Sequence, residues 1–314
     1  MIYTYHSFSP ILNTKHCIMT KPEYVKIMPL TGGMSNNTSL VRLLNEDKDL
    51  CVFKEFGFMS DFFVDKNNLF KCTKRIYESG FGPDVLYCDD SCFFGMFVPG
   101  EVYETLDSSK YSKVITSLKN MHTRCSREGI RSIDPIKLLD KYASELSSLN
   151  LKKREINSLV NILSENLAEA KTALLDVTCV SHRSDKDVLC HGDAQASNII
   201  FLEDSSDVKF IDCEFSGVAD PVLDLAALTN RQTEFNMDEI LYQYFGDVGK
   251  SYQNELRKRF VAYKIYSDMQ WALLALIKFL SSDCELDSLY DIAIKYIDDA
   301  SSWIGVYKNF SHLY

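Results

Sequence analysis

Between Cys190 and Gly217 the chain reads CHGDAQASNIIFLEDSSDVKFIDCEFSG, with polar side chains set around two short apolar runs, NIIFL (198–202) and VKFID (208–212). The two runs and the polar stretch between them fit a short β-hairpin. Asp193 and Asn198 stand five apart at its entrance, and Asp212 ends the far strand, so folding the hairpin brings all three to one end. Phosphoryl transfer uses such a set. One carboxylate orients the attacking hydroxyl, while an amide oxygen and a second carboxylate hold hard Mg²⁺ against nucleotide phosphates.

The order H-x-D-x-x-x-x-N, hairpin, apolar-apolar-Asp matches the catalytic-loop and metal-binding signatures of kinases, with His-Gly-Asp and Asp-Cys-Glu as this chain's versions. VLCHGDAQASNIIF and FIDCEFSGVADPVLDLAAL (210–228) together resemble the choline/ethanolamine kinase family within the aminoglycoside phosphotransferase and protein-kinase-like superfamily, in particular its bacterial surface-sugar branch. GGMSNNTSLV (32–41), VFKEFG (52–57), GFGPDVLYCDD (80–90) and DMQWALLALIK (268–278) follow in the family's order.

Carried over residue by residue, the resemblance implies Asp193 as catalytic base or hydroxyl-orienting group, and Asn198 and Asp212 as Mg²⁺ ligands. It implies Lys54 on the nucleotide phosphates, Gly32, Gly33 and Ser35 as a loop covering them, and Met96 to Val98 as the adenine-side connection. Glu214 either assists a second magnesium or faces the acceptor. Asp224 bonds the catalytic loop's backbone, and His191 serves that loop by packing and hydrogen bonding. Trp271 fits one wall of an aromatic cage for a cationic acceptor, or equally a packed apolar stripe.

Three positions depart from the family pattern. Leu69 stands where a helix glutamate usually pairs with the strand cation, leaving Asp65 one turn earlier as a substitute. Leu274 replaces the second cage aromatic. Arg231 replaces the carboxylate of the acceptor pocket, leaving Glu234 one turn later. An inward arginine repels a quaternary ammonium.

The elements that must position these residues read as two lobes. SLVRLL (39–44) and LCVFKEF (50–56) form a hairpin after the Gly/Ser/Asn loop 31–39. Residues 62–79 form a helix ending at Gly80, and 84–88 with 92–98 form a second hairpin closed by Pro99-Gly100. Beyond Gly100 the apolar period becomes helical, at 109–125, 134–148, 152–175, 221–229, 238–246, 252–281 and 285–304. The expected fold is α+β: a β-rich nucleotide lobe over 1–98 and a mainly helical lobe over 99–314 carrying the catalytic loop and acceptor pocket.

Composition bounds the partners. The 314 residues are 46% hydrophobic and 25% charged, which suits a globular core and excludes disorder. Lys and Arg total 34 against 44 Asp and Glu, a net charge of −10 that leaves no basic face for nucleic acid and favours cationic acceptors. The longest apolar run, WALLALI (271–277), is too short to cross a bilayer, and the N-terminus lacks a secretory pattern, so the expected compartment is the cytoplasm. Ten scattered cysteines without a C-x-x-C fit reduced thiols. The expected activity is ATP- and Mg²⁺-dependent phosphorylation of a small hydroxylated acceptor. Choline or ethanolamine comes first, then an aminoglycoside or other small alcohol, with a protein-kinase-like effector or a degenerate nucleotide-binding scaffold as further alternatives. The sequence leaves the oligomeric state open.

Overall fold

A computed structural model of the chain describes residues 25–30, 36–43, 48–57, 59–149, 154–179, 187–203, 207–281 and 287–311. Five antiparallel strands come first: β1 (Val25–Pro29), β2 (Asn36–Leu43), β3 (Lys48–Phe56), β4 (Val85–Cys88) and β5 (Cys92–Met96). They pair in the order β1-β2-β3-β5-β4, so β3 is central and carries Lys54 opposite Thr38 and Phe93. One face packs around Val41, Cys51 and Phe94, with Phe53 stacked on Phe94 at 4.6 Å.

The helix expected over 62–79 is two pieces, a turn at Ser60–Phe63 and α1 (Lys66–Glu78). Asp65 divides them: its side chain accepts the Asn68 N–H at 3.0 Å and caps α1. Leu69, Cys72 and Ile76 form the buried stripe of α1. Residues 36–39, expected in a loop, already belong to β2, and β1 is an edge strand that the apolar pattern did not reveal.

The helical part comprises α2 (Ser108–Arg124), α3 (Pro135–Ser148), α4 (Arg154–Cys179), α5 (Val222–Ala227), α6 (Met237–Phe245), α7 (Lys250–Ser281) and α8 (Asp287–Ser311). Asp107, Asp134 and Asn236 cap α2, α3 and α6 with side-chain acceptors. Helix α7 is the hub, packed by α8, α5, α3 and α4, and its residues from Arg259 to Lys278 are all buried. The charged residues in this stretch include Arg259 and Lys264, which are paired with Asp220 and Asp268 inside the core. Among the described residues no helix is long and apolar enough to cross a membrane.

Two small ladders interrupt the helices. β6 (Val188–Cys190) pairs with β9 (Gly217–Ala219), and β7 (Ile199–Phe201) with β8 (Val208–Phe210). The second is the expected hairpin. Main-chain bonds tie it to the first part of the chain: Glu101 and Phe201 exchange both N–H···O bonds at 2.9 and 2.8 Å, and Phe210 donates to Phe81 at 2.8 Å.

A buried side chain completes the junction. Asn68 of α1 donates to the Ser216 carbonyl at 2.8 Å and accepts from the Arg131 N–H at 3.0 Å. Replacing Asn68 by leucine leaves two backbone groups unpaired at this junction, each costing about 1–3 kcal/mol. Asn68→Leu is therefore expected to lower unfolding free energy by about 2–5 kcal/mol, read as a reduced urea midpoint at unchanged m-value.

Candidate active site

The catalytic loop hangs from Asp224, a fully buried residue of α5. Its Oδ2 accepts the His191 N–H at 2.7 Å and the His122 Nε2–H at 2.9 Å, and its Oδ1 accepts the Gly192 N–H at 2.8 Å. Burial alone pushes this carboxyl up, but the hydrogen bond from His122, with the loop amide, holds it below the usual carboxylate range. His122 is fixed in turn by the Tyr244 hydroxyl at 2.7 Å from Nδ1.

His191 uses both ring nitrogens on backbone. Nε2 donates to the Ile211 carbonyl at 2.8 Å, and Nδ1 accepts the Asp193 N–H at 3.3 Å. That pattern fixes the tautomer and leaves no ring nitrogen for proton transfer. Gly192 adopts φ +79°, and a Cβ built there lies 2.1 Å from the Phe215 carbonyl oxygen, so the chain needs glycine between His191 and Asp193.

Asp193 is buried, yet its Oδ1 has no hydrogen-bond partner among the described residues. Oδ2 accepts Asn198 Nδ2 at 2.7 Å and Gln195 Nε2 at 3.0 Å. Burial, aided by the Asp212 charge, pushes its carboxyl up to about 6 against the opposing pull of His191 and these amides. Because Asn198 spends its nitrogen on Asp193, its amide oxygen is the part left to face a cation.

Asp212 sits in the left-handed region at φ 65°, immediately after β8, with 38% of its side chain exposed. Across from it, Lys54 Nζ lies 2.6 Å from Asp212 Oδ1 and 3.3 Å from Glu214 Oε1. Burial disfavours the ammonium, but the two carboxylates outweigh it and hold Lys54 above its ordinary value. The same ammonium lowers Asp212 despite desolvation. Glu214 is pushed up to about 7, first by burial and then by Asp212. It also accepts Asn36 Nδ2 at 2.5 Å, while Asn36 Oδ1 accepts the Gly57 N–H at 3.2 Å. Two carboxylates and an amide oxygen are donors suited to a hard divalent cation, and the lysine ammonium suits phosphate beside it.

Asp65 does not reach Lys54; it caps α1 and lies 3.6 Å from Arg131. Glu214 supplies the second carboxylate instead, so it turns to Lys54 and Asn36. Gly32, Gly33 and Ser35 lie outside the described residues. Met96 ends β5, donating to the Asp84 carbonyl at 2.8 Å, and half-buried Val98 follows Phe97, whose N–H bonds Leu50 at 3.2 Å.

On the far side, Trp271 of α7 is buried, edge-on to Phe215 at 5.9 Å and stacked on Tyr296 of α8 at 6.4 Å and 22°. Sequence reasoning missed this ring, while Leu274, at the expected second aromatic position, is fully buried; Tyr296 has a further contact. Its hydroxyl accepts Arg231 Nε at 3.4 Å and feels the charge of Asp193. Arg231 itself is exposed with φ 61°. Glu234 is also exposed and forms no ion pair with Arg231 among the described residues.

A family model described as choline/ethanolamine kinase matches residues 27–262. Ethanolamine kinase 1 of Homo sapiens is 25% identical over 207 residues, which cover 62% of this chain but 44% of the human protein. The Mus musculus protein is 25% identical over 260 residues, covering 78% of this chain and 68% of that one. Against the human relative the chain thus spans under half its length. Among solved structures, LicA in complex with AMP gives a TM-score of 0.70 at 19% identity, covering 95% of this chain and 96% of that one. The spectinomycin phosphotransferase APH(9)-Ia, bound to ADP and spectinomycin, gives 0.63 at 12% identity, covering 96% and 98%. The shared fold is the two-part, kinase-like one.

Gly192→Ala tests the loop geometry directly. The added methyl collides with backbone at a conformation that L-residues avoid, so the variant is expected to lose roughly 2 kcal/mol or more in urea unfolding. Stability within 0.5 kcal/mol of the parent contradicts the placement of Phe215 against the loop.

Proposed function

The chain belongs to the choline/ethanolamine kinase family, and from that premise we propose that it transfers the γ-phosphoryl group of ATP to the hydroxyl of a small cationic amino alcohol, choline or ethanolamine. The observation that carries this reading is Asp193. Among the described residues its buried Oδ1 has no partner, while Gln195 and Asn198 hold Oδ2, so one carboxylate oxygen is left for an incoming hydroxyl. The kinship with ethanolamine kinase 1 and the nucleotides held by similar folds support it.

In this reading residues 1–98 form the nucleotide lobe and 99–314 the acceptor lobe, with adenine against Met96 to Val98. Asp193 Oδ1 accepts the hydroxyl proton as the oxygen attacks the γ-phosphorus and the bond to the bridging oxygen breaks, releasing ADP, while Gln195 and Asn198 keep the carboxylate oriented. Lys54 holds phosphate oxygens. Asn198 and Asp212, with Glu214 beside them, are the residues that hold Mg²⁺, which neutralises charge on the phosphates when bound. The faces of Trp271 and Tyr296 attract the acceptor's ammonium. A reaction that consumes ATP points to the cytoplasm.

The raised Asp193 carboxyl sets a pH dependence. Its ionised form takes the proton, so kcat/KM is expected to fall about tenfold per pH unit below about 6. Asp193→Asn is expected to cut kcat roughly 100-fold or more and abolish that limb, while ATP affinity by calorimetry stays near the parent value.

Arg231 gives a second test. Its positive charge beside the Tyr296 hydroxyl opposes a cationic acceptor, so Arg231→Glu is expected to lower the KM for choline or ethanolamine roughly threefold to tenfold at low salt. An unchanged KM places the guanidinium away from the bound ammonium.

A further inference from the structure

One buried polar group near the aromatic pair has no role in the chemistry above. Asp268 of α7 is fully buried, one turn before Trp271 on the same helix. Its Oδ1 is paired with Lys264 Nζ. Lys264 also donates to Asn230 Oδ1 at 3.2 Å, and Asn230 Nδ2 donates to Ser267 Oγ at 2.8 Å. Among the described residues, one oxygen of this cluster, Asp268 Oδ2, has no hydrogen-bond partner. A carboxylate oxygen buried in that state is costly unless a donor reaches it.

The surroundings say what kind of donor fits. Asn230 is followed directly by Arg231, whose Nε reaches the Tyr296 hydroxyl, and Tyr296 stacks on Trp271. The cluster thus borders the aromatic pair on two sides, through Trp271 on the next turn of α7 and through Arg231 beside Asn230. An ammonium seated against the Trp271 and Tyr296 rings has this cluster as its nearest polar neighbour on α7.

The geometry points to Asp268 Oδ2 as the hydrogen-bond acceptor for an N–H of the acceptor's ammonium, making this chain selective for primary over quaternary amino alcohols. The inference rests on the amino-alcohol reading above. Trp271 and Tyr296 attract any ammonium through its positive field, methylated or not. Oδ2 adds a directional bond that only an ammonium bearing N–H can make. A trimethylated nitrogen leaves the oxygen unpaired and sets methyl groups against it, so discrimination arises from the group left unsatisfied as much as from the bond made.

Steady-state rates on ethanolamine, N-methylethanolamine, N,N-dimethylethanolamine and choline test it with the parent protein alone. The expected result is a kcat/KM at least tenfold lower for choline than for ethanolamine, with the steepest step at the last methyl. Choline used as well as or better than ethanolamine overturns the inference and leaves the amino-alcohol reading standing. Turnover of none of the four at millimolar concentration overturns both.

A variant then assigns the preference to this residue. Lys264→Met with Asp268→Leu removes both charges at similar volume and avoids an unpaired buried ion. The ethanolamine-to-choline ratio of kcat/KM is expected to fall at least tenfold. A preserved ratio in a folded double variant assigns selectivity elsewhere and overturns the role of Asp268. If the double variant shows no cooperative melting, the parent series decides alone.

Discussion

A single buried carboxylate holds the catalytic loop in place. Asp224 gathers three N–H donors, two of them consecutive backbone amides of the loop, and so dictates where His191 and Gly192 lie. Once those two are fixed, the Nδ1 and Nε2 bonds of His191 place Asp193 and Ile211, and the amides of Gln195 and Asn198 fall onto Asp193. Charge-assisted bonds in a dry interior are stronger than neutral ones. The loop's precision thus comes from a residue on a six-residue helix that faces no ligand.

Across the cleft the governing effect is the cost of burying a cation. Lys54 lies mid-sheet with little solvent, and two carboxylates compensate it. They come from adjacent steps of one segment, 212–214, and the second is steadied by Asn36 of β2. The result is a polar cluster built from two strands and one turn. The aromatic wall is assembled differently, from Phe215 just after that turn, Trp271 on α7 and Tyr296 on α8.

What the sequence disclosed and what it hid divide along the range of the forces involved. The spacing of Asp193, Asn198 and Asp212 is local, and the hairpin that joins them was legible from its alternation and turn residues. Helical periods gave all seven helices of the second part, with ends shifted by a few residues. β6 and β9 are as short as the hairpin strands but lie far apart in the chain with no turn joining them, so no local signal marks their pairing. The break at Asp65 is a capping signal, an acid one position before an α-helix, hidden within an apolar period that runs through it. Tyr296 and Asn36 belong to the site only through tertiary packing, so no local pattern could have flagged them. The search for a helix partner to Lys54 looked in the wrong element, because Leu69 belongs to the buried stripe that seats α1.

That reassignment changes how the molecule can be loosened. Neither partner of Lys54 rides on α1, so tilting or sliding this helix leaves the ion pairs whole. What such a motion would sever is the grip of Asn68 on the Ser216 carbonyl and the Arg131 amide. The helix behaves as a brace bolted to the floor of the cleft: strain arriving at it is delivered to the backbone just after Glu214, and only from there to the charges.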